Sequence, residues 1–183
     1  LKFDGYRLLA RVGAGGVRLF TRNGHDWSAR LPALQRAVQA LGLHDAWLDG
    51  ELVALDAQGV PSFQRLQNAF EGGRAGTVGA TLAYYLFDLP FDAGEDLRAR
   101  PLSERRELLR RHLHGVADGG DGLLRFSEDF ARNGQDLLAS ACALRMEGLI
   151  GKRLDAPYVA GRSRSEEHTS ELQSRGDISY AGF

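Results

Sequence analysis

The first residues of the chain carry the functional groups that a nucleophilic reaction needs. Residues 2–7, Lys-Phe-Asp-Gly-Tyr-Arg, place an amine, a carboxylate and a guanidinium along one extended segment. Of the 23 basic residues only Lys2 and Lys152 are lysines, and all the others are arginines. Because only an amine can lose its proton and attack an electrophile, this usage predicts a nucleophilic role for Lys2. The alternative interpretation is a single exposed charge on a strand.

The composition is that of an ordinary globular protein. The 183 residues are 43% hydrophobic and 26% charged, and the formal net charge is -1. These values predict one domain with a full core. They argue against a uniformly basic nucleic-acid binder, although a local basic face remains compatible with them. Cys142 is the single cysteine, which excludes an intrachain disulfide and favours a reducing compartment.

The ends and hydropathy of the chain predict its location and its completeness. No apolar run approaches the roughly 20 residues that a membrane span needs, and the start has no signal-peptide layout. We therefore expect a cytoplasmic protein without membrane contact. The chain begins at Leu1, in mid-strand and without an initiator Met, which predicts a fragment whose upstream part has been lost.

Hydrophobic patterns predict the elements that must position the reactive groups. Residues 6–12 and 17–21 alternate on either side of a Gly cluster, which is typical of a β-hairpin. The cluster itself, residues 13–16, lacks the following Lys-Ser/Thr and helix of a phosphate-binding loop, so a plain turn is favoured. Further strands are predicted at 46–55, 81–90, 123–127 and 147–153, and helices at 32–41, 62–70, 101–114 and 134–146.

Polar residues inside these elements allow more than one interpretation. Asp49 and Glu51 interrupt an apolar strand, and because a buried unpaired charge is expensive, one of them is predicted to face a polar cleft. Phe87 is either a core residue or a stacking platform at a cleft edge. Arg22 lies in a polar loop, where a residue of a solvated turn and a functional residue are equally compatible with the sequence. The four arginines of helix 101–114 are interpreted as a solvated face, with a phosphate-backbone contact as the second possibility.

The order of the motifs resembles that of the covalent nucleotidyltransferases, the family of the ATP-dependent DNA ligases and capping enzymes. Residues 2–7 resemble the nucleophile motif, and a lone Lys-x-Asp-Gly would be a weak signal. The later motifs match in order and spacing at Asp49-Gly50-Glu51, at Phe87-Asp88 and at residues 147–152. Within the family, segments 21–27, 66–70 and 150–153 resemble the ligase D group of bacterial end-joining enzymes. The resemblance covers residues 1–163.

This resemblance implies a fold and a reaction. The implied fold is α+β, an ATP-grasp-like adenylation domain in which antiparallel sheets packed with helices surround a nucleotide cleft. The implied reaction is ATP-dependent ligation of nicked or broken double-stranded DNA, in which AMP passes from ATP to Lys2 and then to a DNA 5′-phosphate before a 3′-hydroxyl seals the strand. An end-bridging protein and fused polymerase or nuclease domains are compatible partners. RNA ligation, RNA capping and non-catalytic nucleotide or DNA binding remain alternatives.

The same resemblance implies a role for each motif residue. Lys2 is the expected nucleophile; its ordinary pKa of about 10.4 must be lowered for attack near neutral pH, and a nearby cation with partial burial would do this. Glu147 is expected to bind Mg²⁺ or Mn²⁺, Phe87 to stack on adenine, and Glu51 to bond the ribose hydroxyl with a contribution to the metal site. The other expected nucleotide-binding residues are Asp4, Gly5, Arg7, Arg22 and Lys152.

Two departures from the family pattern are expected to matter. Residues 1–163 resemble an adenylation domain truncated at both ends, without a base-orienting glutamate before Leu1 and without the OB-fold domain that follows. A Trp and two triphosphate-binding lysines are also missing after residue 164. Residues 164–183 resemble a translated sequencing adapter, which predicts a non-native, disordered tail in which His168 serves no metal site.

Overall fold

The computed structural model describes residues 4–71, 81–114, 122–130, 150–159, 166–168 and 180–181. Most of them form one sheet with three α-helices. Its strands are β1 (Tyr6–Gly13), β2 (Gly16–Thr21), β3 (Ala46–Leu55), β4 (Thr81–Asp92), β5 (Glu95–Asp96) and β6 (Leu124–Phe126). The helices are a 3-10 turn (Ser28–Arg30), α1 (Pro32–Gln39), α2 (Phe63–Glu71) and α3 (Leu102–Leu113). Among the helices described here, none is long and apolar enough to cross a membrane.

The order of the strands brings the motif-bearing segments side by side. The sheet runs β2-β1-β3-β4-β5 with antiparallel neighbours, and β6 pairs with β4 in parallel. The predicted hairpin is confirmed, because β1 and β2 pair from Leu8↔Thr21 to Gly13↔Gly16. Since β3 lies between β1 and β4, Tyr6 and Arg7 of the first motif lie beside the β3 segment that carries the two carboxylates. The Phe-Asp pair of β4 lies on the other side of that segment.

The helices all pack on one face of the sheet. Leu8 and Ala10 of β1 are buried in the same core as Leu34 of α1, Leu66 of α2 and Leu109 of α3. Successive side chains of a strand point to opposite faces, so the odd-numbered residues of β1 point away from the helices. The predicted helix 134–146 and residues 147–149 of the last predicted strand lie outside the described residues.

The prediction that the four arginines of helix 101–114 form a solvated face is wrong for two of them. Arg105 and Arg106 are 1% and 3% exposed, whereas Arg110 and Arg111 are exposed. The reason is the helical period: both buried arginines lie within one turn of Leu102 or Leu109 and share their core-facing stripe. A run of charges is therefore not a solvated face when the sheet beneath it offers polar partners.

A second, small sheet collects short strands from the C-terminal part of the chain. Strands β7 (Asp129–Phe130), β8 (Ile150–Lys152), β9 (Glu166–His168) and β10 (Tyr180–Ala181) lie in the order β7-β10-β8-β9 with antiparallel neighbours. Strands β9 and β10 fall within residues 164–183, whose disorder stays a prediction. Backbone N–H and C=O groups at a strand edge pair with another strand whatever its side chains, so polar composition did not exclude this pairing.

The close approach of β3 and β4 requires a glycine at position 50. A Cβ atom added to Gly50 would lie 2.6 Å from the carbonyl oxygen of Tyr85 and 2.7 Å from Cε2 of Tyr84. The Tyr84 ring cannot yield easily, because its hydroxyl donates a buried 2.8 Å hydrogen bond to the carbonyl of Leu8. Gly50 thus allows three strands to be tied together across the middle of the sheet.

Replacing Gly50 with alanine should destabilise the fold by overpacking. We expect Gly50→Ala to lower the free energy of unfolding by about 1–3 kcal/mol, as insertions into a packed interior do. Urea unfolding followed by circular dichroism measures this change. Gly13→Ala is the matched control, because nothing lies within 4 Å of a Cβ at that glycine. Equal stability of the two variants would contradict the packing described for β3 and β4.

Candidate active site

The site begins with a row of residues that crosses three strands on the face away from the helices. The registers pair Arg7 of β1 with Glu51 of β3, and Glu51 with Tyr85 of β4. Side chains directly opposite each other in neighbouring strands lie within contact distance. Sheet pairing alone therefore brings the guanidinium of the first motif beside the second carboxylate of β3.

A β-bulge lies at Phe87, two residues after Tyr85 on β4. The register passes from Gly50↔Leu86 to Asp49↔Asp88, so that one step on β3 matches two steps on β4 and the register skips Phe87. A bulge of this kind bends its strand and redirects a side chain. Phe87 is 1% exposed, and the described residues of the main hydrophobic core do not include it.

Two cations lie over the Phe87 ring. The Nζ atom of Lys152 is 4.4 Å from the ring centroid, and the Cζ atom of Arg7 is 5.5 Å from it. Cations in such positions are attracted by the electron-rich face of an aromatic ring. Lys152 belongs to β8, so the small sheet contributes to a site built on the large one. Arg7, Glu51, Phe87 and Lys152, all predicted from the sequence, thus converge.

Asp49 fixes Arg7 of this cluster through a buried ion pair. Its side chain is fully buried, and it accepts hydrogen bonds from Nε (3.0 Å) and Nη2 (2.7 Å) of Arg7. The Tyr158 hydroxyl donates a third bond of 2.8 Å to Asp49 Oδ2. Sequence reasoning missed Tyr158, whose only signal is its place in the chain shortly after Lys152. Of the two carboxylates of β3, Asp49 is the fully buried one, and its charge is paired with Arg7.

The carboxyl group of Glu51 has a raised pKa. Burial raises the pKa of Glu51 to about 8; the negative charges of Asp49 and Asp4 act in the same direction, and the positive charges of Arg7 and Arg22 oppose them. Asp4 and Arg22 therefore lie within electrostatic range of the cluster, as their predicted roles require. A divalent cation beside Glu51 would relieve this unfavourable burial, so the residue fits a metal ligand.

Other parts of the predicted site are not within the described residues. Lys2, the expected nucleophile, and Glu147, the expected metal ligand, both lie outside them. Across the ranges given above, no group of three or more His, Cys, Asp or Glu side chains is placed to hold a metal ion. The metal site therefore stays a prediction.

Gly5 anchors the first motif against β3. A Cβ atom at this position would clash with the carbonyl oxygen of Leu52 and lie 3.0 Å from side-chain atoms of Glu51 and Val53. Only a residue without a side chain lets the backbone approach so closely. The glycine of the Lys-x-Asp-Gly motif is explained here by packing.

The loop that carries Tyr158 is tied to the start of α3. The N–H groups of Leu102 and Ser103 donate to the carbonyls of Ala156 (3.1 Å) and Leu154 (2.9 Å), and the N–H of Tyr158 donates to the carbonyl of Arg98 (2.8 Å). The first N–H groups of a helix have no partners within it, so the loop satisfies donors that would otherwise need water. Helix α3 thereby fixes the segment that follows Lys152.

Comparison with known sequences identifies relatives over most of the chain. A family model described as ATP dependent DNA ligase domain matches residues 1–168. The multifunctional non-homologous end joining protein LigD of Pseudomonas aeruginosa is 55% identical over 163 residues, which are 89% of this chain and 19% of that protein. The LigD protein of Mycobacterium tuberculosis is 35% identical over 161 residues, 88% of this chain and 20% of that protein. The chain spans about a fifth of the length of these relatives.

Solved structures give the same result for the fold. A mycobacterial DNA ligase D complexed with ATP and MES superposes with a TM-score of 0.75 at 33% identity, covering 91% of this chain and 52% of that one. The ligase domain of Mycobacterium tuberculosis LigD superposes with a TM-score of 0.75 at 34% identity and the same coverage. The predicted α+β fold is confirmed.

The buried pair of Asp49 and Arg7 should contribute far more to stability than an exposed pair of the same geometry. We expect Asp49→Asn to lower the free energy of unfolding by about 2–4 kcal/mol, because it removes the charge that compensates a partly buried guanidinium. Asp155→Asn is the matched control, since Asp155 accepts the same two-pronged contact from Arg153 while both side chains are exposed. Denaturant titration compares the two; a similar loss in both would contradict the role given to Asp49.

Proposed function

The chain belongs to the family of ATP-dependent DNA ligases, and from this premise we propose that its site carries out the adenylation and strand-sealing reactions of such a ligase. The observation that carries the proposal is the convergence of Arg7, Glu51, Phe87 and Lys152 from four different strands. An aromatic ring, two cations and a carboxylate are suited to the base, the phosphates and the ribose of a nucleotide.

The proposed reaction has three transfers. The deprotonated Nζ of Lys2 forms a bond to the α-phosphorus of ATP while the bond to the β-phosphate oxygen breaks, so pyrophosphate leaves and lysyl-AMP remains. The AMP then passes to an oxygen of a DNA 5′-phosphate, which frees the lysine. Finally a 3′-hydroxyl attacks that phosphorus, AMP leaves, and a phosphodiester bond joins the strands. Each step develops charge on phosphate oxygens, which cations stabilise.

The residues described around Phe87 are proposed to bind the nucleotide. Because the ring is only 1% exposed, we propose that an adenine stacking on it displaces one of the two cations that now lie over it. We assign the displaced position to Lys152, whose flexible stem allows its ammonium to turn toward the phosphates. Arg7 is held by Asp49 and therefore stays.

A divalent metal ion completes the proposed chemistry. Mg²⁺ or Mn²⁺ would supply charge neutralisation at the phosphate oxygens when bound. Glu51, whose burial favours a nearby cation, and Glu147 are the proposed ligands. Asp4, Gly5 and Arg22 are proposed to contribute to the nucleotide-binding surface around them.

The proposed substrate is nicked or broken double-stranded DNA in the bacterial cytoplasm. The relatives of the chain are named multifunctional non-homologous end joining proteins, which supports repair by end joining. Fused polymerase or nuclease domains and an end-bridging protein are proposed as partners. Residues 1–163 are proposed to form the adenylation domain, and residues 164–183 to be non-native. Domain closure by an OB-fold is proposed for the complete enzyme.

The proposal is tested by the intact mass of the chain after incubation with ATP and Mg²⁺. We expect the mass of one AMP to be added to the parent and to neither Lys2→Ala nor Lys2→Arg, because Arg keeps the charge but not the nucleophile. Adduct on either Lys2 variant would contradict Lys2 as the nucleophile. If the parent forms no adduct, the experiment is repeated with a ligase C-terminal region joined to the chain, and continued absence would contradict the function.

A further inference from the structure

Helix α3 carries two arginines whose burial needs an explanation. Arg105 and Arg106 are almost completely buried, on the helix face that otherwise consists of Leu102, Leu109 and Leu113. Burying a guanidinium is expensive unless its donors are satisfied, and an apolar residue at such a position is often at least as stable. The hydrogen-bond acceptors of these two side chains therefore show what their burial achieves.

Arg106 binds the bulge of β4 directly. Its Nη1 donates a 3.1 Å hydrogen bond to the carbonyl oxygen of Phe87, the residue that the register between β3 and β4 skips. Its Nη2 donates a 2.5 Å bond to the carbonyl of Ser127, just beyond β6. The Ser127 N–H in turn donates to the carbonyl of Leu86, the residue before Phe87. One guanidinium thus links the bulge of β4 to the segment that follows β6.

Arg105 holds the next residue of the same strand. Its Nε and Nη2 donate to both carboxylate oxygens of Asp88, at 2.7 and 2.9 Å, in a two-pronged buried contact. Its Nη1 donates to the carbonyl of Ala156 at 3.2 Å, in the loop that carries Tyr158. Arg105 therefore ties the end of the bulge to the loop that follows Lys152.

These contacts explain how an irregular piece of strand keeps one conformation. A bulged residue leaves part of its backbone outside the regular ladder, so its orientation must be fixed by other donors. A charged donor makes a stronger hydrogen bond to a carbonyl than a neutral one does. The face of the Phe87 ring that a nucleobase would use is then set by a helix on the opposite side of the sheet.

We propose that Arg106 is a positioning residue for nucleotide binding, acting through the backbone of Phe87. It touches neither nucleotide nor metal in this proposal; it holds the bulge that aims the ring toward Arg7 and Lys152. The inference rests on the proposed function, because the positioned ring matters only if a base stacks on it.

The chain provides a matched control on the same helix. Arg110 lies one turn after Arg106, and both guanidinium carbons are 4.7 Å from the centroid of the same Phe126 ring. Arg110 is exposed and forms its ion pairs with Glu107 and Glu128 at the surface. Arg106→Met and Arg110→Met therefore share the helix, the substitution and the aromatic neighbour, but only Arg106→Met removes buried hydrogen bonds to the bulge and to Ser127.

The test measures the dissociation constant for ATP by calorimetry and the fluorescence of the 2-aminopurine nucleoside triphosphate, which is quenched when its base stacks. All measurements are made well below the thermal midpoint of each variant. We expect Arg106→Met to raise the dissociation constant roughly 10-fold or more, the effect of losing a charge-assisted hydrogen bond, and to reduce the quenching. Arg110→Met should stay within about twofold of the parent. Arg106→Lys, which retains one buried cationic donor, should be intermediate.

The outcomes separate the inference from the function on which it rests. If the parent and Arg110→Met bind ATP and Arg106→Met binds equally well with equal quenching, Arg106 is only structural and the inference is overturned. If Arg106→Met does not fold, Arg106→Lys decides in the same way: weakened binding and quenching support the inference, and unchanged values overturn it. If the parent itself does not bind ATP, the proposed function fails and the inference fails with it.

Discussion

The ion pair between Asp49 and Arg7 is the constraint on which the rest of the site depends. A carboxylate that is fully buried must be satisfied, and Asp49 is satisfied by two donors from β1 and one from Tyr158. These bonds fix the strand that follows the first motif and the loop that follows Lys152 relative to β3. Of the two cations over Phe87, Arg7 therefore has a defined position, because the buried charge of Asp49 requires a partner.

A second polar network connects this face of the sheet with the helices. Arg105 and Arg106 of α3 bind Asp88 and the carbonyl of Phe87, and Arg105 also binds the carbonyl of Ala156. The apolar core packs the helices against the sheet. At the bulge, α3 binds Asp88 and the carbonyl of Phe87, while the Phe87 ring lies on the face of the sheet that carries the site. Core packing and site geometry are thus linked at one irregularity of β4.

Local patterns predicted the elements, while the contacts between them followed from sequence only where a motif identified them. Alternation and turn residues predicted β1, β2 and most of β4, and Pro32 marked the start of α1. The motif residues Arg7, Glu51, Phe87 and Lys152 do converge. The bond between Tyr158 and Asp49 spans 109 positions and depends on register, which no local pattern encodes. Arg105 and Arg106 read as surface residues because charge alone does not report what lies beneath a helix.

The most direct test of this account is a crystal structure of the chain with AMP bound. We expect adenine to stack on Phe87 and Arg7 to stay on Asp49. The Lys152 ammonium should leave its position 4.4 Å from the ring centroid and turn toward the phosphate. Adenine bound elsewhere, with Lys152 still over the ring, would contradict it. The same structure shows whether the bulge at Phe87 keeps its bond to Arg106 when the site is filled.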